Sequence, residues 1–397
     1  MTLLSERILN MSESETIAMS RRSRELKAQG IDVVNLSLGE PDFPTPDFIK
    51  DAAKAAIDNN FSYYPPVAGY MDLREAVAKK FERDNGLHYK PEQIIISTGA
   101  KQCIANAILS LINPGDEVIV PAPYWVTYIE IIKLAGGIPV VVQTGVDSNF
   151  KFTPEQIEAA ISPRTKMLMY SSPCNPTGAV FGKEELRALA AMLGKHPNVI
   201  VLSDEIYEHI NFIGKHESIA QFDEVKDRTI VINGVSKGFA MTGWRIGFMA
   251  APLEIAKACD KMQGQFTSAA SSIAERAALA AVLADPIVCQ PMRESFEKRK
   301  NLVMEKLSAI EGFQCNQPEG AFYVFPDISF YFGKQFNGKV MHTSADFTDF
   351  LIENAHVSLV PGSAFGSPNC LRFSYATSEQ NLLEAISRIE KAVKLLN

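Results

Sequence analysis

The chain has 397 residues, 46% of them hydrophobic and 21% charged, with a net charge of −7. That length exceeds one simple core and predicts two domains. The small acidic balance, with its signs interleaved, disfavours nucleic-acid or anionic-membrane surfaces, and no apolar run reaches the ~20 residues of a bilayer span.

The opening MTLLSERILN carries an acid and has no apolar core before a cleavage site, so no signal peptide is expected. Residues 1–48 end in the Gly/Pro-rich connector NLSLGEPDFPTP and are expected to lie near the carboxyl-terminal domain. From 49 to 290 short β-branched runs alternate with helical stretches. Strands are predicted at 93–97, 117–120, 138–142, 166–170, 199–203, 229–233 and 246–250, with helices at 102–112, 124–134 and 183–193. That alternation predicts βαβ units around a mostly parallel sheet, buried on both faces. Long helices follow at 268–284 and 286–310, then extended segments at 314–326 and 357–377 and a last helix at 379–396. Residues 291–397 are therefore read as a smaller α+β domain. Six cysteines (Cys103, Cys174, Cys259, Cys289, Cys315, Cys370) lie far apart with no metal-ligand spacing, which predicts reduced thiols in a cytoplasmic protein and no metal site.

No phosphate-loop, dinucleotide, zinc-protease or hydrolase-elbow motif is present. Four other segments sit at predicted strand ends, where open α/β sheets bind ligands. In IIISTGAKQ, Gly99 turns the chain into a helix whose free N–H groups at Ala100 suit a phosphate, with Lys101 beside them. In SSPCNPTGAV, the extended or cis-prone pair Asn175–Pro176 starts a tight turn that aims the Asn175 amide. In VIVLSDEIYEH, Asp204 ends a buried strand and needs a cationic partner, while Tyr207 reaches the same place if a helical turn follows. In INGVSKGFAMTGWRIG, Lys237 lies among glycines in a tight turn, where a desolvated amine suits Schiff-base chemistry, and Arg245 suits a dianionic phosphate. Taken singly, each segment is equally an ordinary turn, helix cap or solvated lysine. Their coincidence points to one site.

In this order LSLGEPDFPTP, STGAKQ, SPCNPTG, SDEIYEH and SKGFAMTGWRIG resemble the class I (fold type I) aminotransferases, nearest the bacterial aspartate aminotransferases of subgroup Ib. The resemblance runs from about Ser14 to the last helix. It implies a fold type I architecture and pyridoxal 5′-phosphate held by Lys237, which also moves the substrate α-proton. Asp204 would pair with the pyridinium nitrogen, Asn175 and Tyr207 would reach the ring oxygen, and Trp125 would cover the ring. Gly99, Ala100, Lys101, Ser236 and Arg245 would hold the phosphate, joined by Tyr64 across a homodimer interface. Arg372 would clamp the substrate α-carboxylate under Gly39, with Trp125 and Asn175 adjoining the substrate.

For the distal carboxylate the resemblance implies Lys101 with Ser14 and Thr16. Relatives that accept prephenate tend to carry a basic residue where this chain has Ser12, which favours aspartate with 2-oxoglutarate. Aromatic or prephenate transamination and a β-lyase on the same scaffold are the alternatives. A non-catalytic sensor module would need an added DNA-binding domain, and the acidic first ~45 residues are too few for one.

Overall fold

The computed structural model describes residues 3–397; Met1 and Thr2 of the amino-terminal segment lie outside the described residues. The longer helices are α1 (Glu15–Ala28), α2 (Asp47–Asp58), α3 (Met71–Lys80), α4 (Ala100–Leu111), α5 (Thr127–Leu134) and α6 (Lys183–Gly194). They continue with α7 (Leu253–Phe266), α8 (Ser272–Leu283), α9 (Gln290–Leu307), α10 (Ser344–Asn354) and α11 (Glu379–Val393).

The main sheet comprises β1 (Ile94–Ser97), β2 (Glu117–Ala122), β3 (Ile138–Gln143), β4 (Thr165–Ser171), β5 (Ile200–Asp204), β6 (Thr229–Gly234) and β7 (Gly247–Ala250). Its order is β1–β7–β6–β5–β4–β2–β3, and only β7 runs antiparallel to its neighbours. This is an α/β fold with a mostly parallel sheet, as expected. Strands such as β5 and β6 are buried along nearly their whole length, with apolar centres Ile200–Leu202 and Ile230–Ile232, because helices cover both faces. One face packs Val231, Phe248 and Ile94 against α3 and α8, and the other packs Leu202, Ile232 and Met249 against α4, α5 and α7.

A small antiparallel sheet, β9–β10–β8, is built from β8 (Tyr323–Val324), β9 (Val360–Pro361) and β10 (Leu371–Ser374). Val34–Asn35 pairs in parallel with Val357–Ser358, so the amino-terminal segment lies with the carboxyl-terminal region. Among the described residues no helix is long and apolar enough to cross a membrane.

Several local expectations are corrected. The helix expected over 268–284 starts at Ser272, because the Ser271 hydroxyl accepts from Ala274 N–H. The helix expected over 286–310 is a 3-10 turn, Pro286–Cys289, followed by α9, with the Asp285 side chain holding Ile287 N–H at 2.9 Å. The extended segment at 314–326 pairs mainly at Tyr323–Val324, and that at 357–377 is broken by the 3-10 turn Gly362–Phe365. The cis peptides are Ala122–Pro123 and Ser172–Pro173, not Asn175–Pro176. After Asp204 the chain makes irregular turns rather than a helix.

Candidate active site

The carboxyl ends of β4, β5 and β6 open onto a cavity of about 350 Å³, closed on the opposite side by the 38–40 connector and by Tyr323 and Arg372 of the small sheet. Asp204 is the last residue of β5, one place later than the expected strand. It is buried, with Oδ2 accepting from the Tyr128 hydroxyl at 2.7 Å and Oδ1 from Ile206 N–H at 3.3 Å. Burial pushes its pKa up to about 6, against the pull of the Tyr128 hydrogen bond. Its neighbour Glu205, the first residue past β5, lies outside the cavity lining and accepts from Ser203, Ser218 and His216.

At the end of β6, Gly234 has no room for a Cβ against Gly247 and Ile246, and the turn that follows brings Ser236 and Lys237 into the cavity wall. Lys237 Nζ donates to the Gly39 carbonyl at 2.5 Å and lies 5.6 Å from the Tyr207 ring centre. Burial, then the Arg372 charge, lower its pKa from 10.5 to about 8. Tyr207 reaches the cavity without a helical turn, because its hydroxyl bonds that of Tyr323 at 2.8 Å.

The amino end of α4 forms the second corner. Gly99 has φ +83°, and the Arg245 guanidinium occupies the space that a side chain there would need. Gly99 thus stands behind Arg245, while Ala100, Lys101, Ser236 and Arg245 line the cavity. The free N–H groups of a helix start, with a guanidinium and a hydroxyl beside them, make an anion cradle. Lys101 Nζ lies 4.9 Å from the Trp125 ring centre.

Arg372 forms the third corner from β10, only 1% exposed. Nη1 donates to Asn175 Oδ1 at 3.0 Å and Nη2 to the Ser37 carbonyl at 2.5 Å. Its guanidinium faces the Tyr323 ring at 4.7 Å, and its buried Nε has no hydrogen-bond partner among the described residues. Among the described residues no carboxylate pairs with Arg372. A buried cation without a counter-ion is costly unless a ligand supplies one.

Gly39 closes over this corner, and a Cβ there would strike the Tyr323 hydroxyl. Ser14 and Thr16 reach the same cavity from α1 and its cap. Ser12 lies outside the lining, its N–H donating to Glu130 Oε2 at 3.0 Å. Tyr64 is not brought in: it is 93% exposed and away from the cavity. Sequence reasoning missed Tyr128, Tyr323, Ser37 and Glu40. A signal existed for Tyr128, three places after Trp125 at the start of α5, where the two rings meet edge-on at 5.6 Å. None existed for Tyr323, which meets Tyr207 across 116 residues.

The family model for aminotransferase class I and II matches residues 31–389. The chain is 48% identical over 394 residues to an aspartate/prephenate aminotransferase of Cereibacter sphaeroides, covering 98% of each. It is 45% identical to an aspartate aminotransferase of Geobacillus stearothermophilus, again covering 98% of each. Its fold matches the crystal structure of the Rhizobium meliloti aspartate aminotransferase with TM-score 0.96 and 42% identity, over 100% of both chains. The Thermus thermophilus aspartate aminotransferase solved with maleate matches at TM-score 0.93 and 41% identity, over 99% of this chain and 100% of that one.

Proposed function

Because the chain belongs to the aminotransferase class I and II family, we propose that it moves an amino group between L-aspartate and 2-oxoglutarate, using pyridoxal 5′-phosphate held on Lys237. One observation carries the reading: a fully buried, carboxylate-free Arg372 shares a cavity with Lys237 and Asp204. The cavity fits the cofactor chemically. Asp204 is a buried carboxylate suited to a cationic ring nitrogen, and Ala100, Lys101, Ser236 and Arg245 suit a phosphate. Asn175 and Tyr207 would serve the ring oxygen and Trp125 the ring face.

When bound, the cofactor supplies a carbonyl that condenses with amines and a conjugated ring that accepts the electron pair left by the α-proton. Arg372 grips the α-carboxylate as a fork, and the ring of Tyr323 beneath it fixes the guanidinium plane. Asn175 Oδ1 and the Ser37 carbonyl orient that fork. Lys237 Nζ would take the proton from the substrate α-carbon and deliver it to what had been the cofactor's carbonyl carbon, the shift that leaves the amino group there. A pKa near 8 leaves a usable neutral fraction at neutral pH, where 10.5 leaves almost none. Lys101, with Ser14 and Thr16 in the same cavity lining, would meet the distal carboxylate; the Thermus relative was solved with maleate, a four-carbon dicarboxylate.

Tyr64 is assigned to the phosphate of the partner subunit in a homodimer. It stands on a loop pinned to α8, where Ser272 Oγ donates to the Phe61 carbonyl at 2.5 Å and Glu275 accepts from Tyr70 N–H at 2.9 Å. An exposed aromatic on a rigid base suits an interface. Six free thiols suit a reducing, cytoplasmic setting. The division at residues 48 and 290 is proposed for the two domains, with α9 starting at that second boundary.

Prephenate is a second acceptor to weigh, since relatives at 48%, 46% and 44% identity carry aspartate/prephenate in their names. Steady-state assays with aspartate, glutamate, prephenate, alanine and phenylalanine test the reading. Aspartate turnover no faster than alanine turnover overturns it. Lys237→Ala is expected to lower turnover by on the order of 10⁴-fold and to abolish borohydride fixation of the cofactor.

A further inference from the structure

The hydroxyl of Thr45 joins both sides of the turn that carries Arg245. Thr45 Oγ1 donates to the Ala240 carbonyl at 2.7 Å, and Trp244 Nε1–H donates to Thr45 Oγ1 at 3.0 Å. Between these two points Thr242–Trp244 makes a single 3-10 turn. Its flanks, Ala240 at φ +51° and Arg245 at φ +57°, are non-glycine residues in the left-handed region. Such a conformation costs about 1 kcal/mol or more at each position, so the surroundings must hold it.

The turn decides where the guanidinium goes. Arg245 Nη1 donates back to the Thr242 carbonyl at 2.9 Å, and the side chain fills the space left by Gly99. A Cβ at Gly247 would strike Gly99 and Ala100, so turn and helix start meet without slack. Thr45 does not serve α2 instead: the cap residue there is Pro46, and no side chain caps that helix. Glu40 Oε2 also accepts from the Thr242 hydroxyl at 3.1 Å. The connector that carries Gly39 is thus fastened to the Arg245 turn at several points.

We infer that Thr45 is a positioning residue for the anion cradle: by pinning the 240–245 turn it aims Arg245 at the amino end of α4. This rests on the cofactor reading above, whose phosphate the cradle would grip.

The test strips wild-type protein and the variants Thr45→Val, Thr45→Ser and Trp244→Phe of cofactor. Each is titrated with pyridoxal 5′-phosphate and, separately, with pyridoxal, which lacks the phosphate. Failure of wild type to bind either compound would sink the cofactor reading alone. Thr45→Val is expected to bind pyridoxal 5′-phosphate about tenfold more weakly, the loss of two ordinary hydrogen bonds, while pyridoxal changes less than about twofold. Thr45→Ser keeps both bonds and stays within about twofold of wild type, and Trp244→Phe loses about threefold. Equal weakening of both ligands, no weakening in Thr45→Val, or equal losses in Val and Ser overturns the inference. Should Thr45→Val not fold, the phosphate-specific loss in Trp244→Phe decides in its place.

Discussion

The stretch Asp204–His209 places charged groups on both sides of the sheet end, and the two sides are partnered differently. Behind the sheet, Glu208 is ion-paired with Lys80, and its second oxygen accepts from Asn85 at 3.1 Å. Glu205 nearby has three side-chain donors within 2.9 Å. In front, Asp204 has Tyr128 as its hydrogen-bonded side chain, and Arg372 has no carboxylate among the described residues. Both sides are equally buried, so burial does not separate them. Charges neutralised within the chain hold the fold, whereas charges left open toward a cavity are set for a ligand.

The largest contrast comes from removing one charge on each side. Arg372→Ala should lower kcat/KM for aspartate by about 10³-fold, with Arg372→Lys recovering only part, because a point charge does not replace a fork. Melting temperatures near wild type are expected alongside. Severe unfolding with unchanged kinetics of the folded fraction would break the comparison.

Lys80→Met should do the reverse, costing ~3–5 kcal/mol of unfolding free energy by stranding Glu208, while turnover per folded molecule stays near wild type. Its pH dependence sharpens the point. Burial raises the Glu208 pKa, but Lys80, with His209 and His216, holds it down to about 2 against an ordinary 4.5. The folded value lies below the unfolded one, so this stability is present above pH ~4.5 and is lost as pH falls toward 2. Urea titrations across that window should show a flatter curve for Lys80→Met than for wild type.

Tyr128→Phe should give the smallest effect. It removes the donor that opposes the burial of Asp204, so the carboxyl pKa rises further from about 6 and less of it is ionised at a given pH. In the cofactor-free protein this titration should move to higher pH, with cofactor affinity about threefold lower at pH 6 and near wild type at pH 8. A uniform loss across pH would assign Tyr128 a packing role only.

Much of the main sheet was legible because strands buried on both faces carry short unbroken apolar runs, as in the IVL of β5 and the IVI of β6. The direction of β7 was not, since the same pattern serves either orientation. Helix α1 escaped notice because it buries only Met19, Ser20 and Ser23 and so carries no apolar stripe. Helix α2 did carry one, with Ile49, Ala53 and Ala56 on the buried face, and could have been read from it. At the site, the motifs at the strand ends were visible as local chemistry at local turns.

The sequence by itself determined the candidate groups and their order: a turn suited to an anion at Gly99–Lys101, Asp204 at a strand end and Lys237 among glycines, with Arg372 named only by the family resemblance. The first three follow from neighbours a few residues apart. Only the tertiary structure decided that Tyr323 lies beneath Arg372, that Tyr128 holds Asp204 across 76 residues, and that Thr45 ties down the Arg245 turn across 195. Contacts at such separations leave no periodicity in the chain. They exist because packing of the two sheets against the connector brings distant backbone together, and polar groups buried there must find partners.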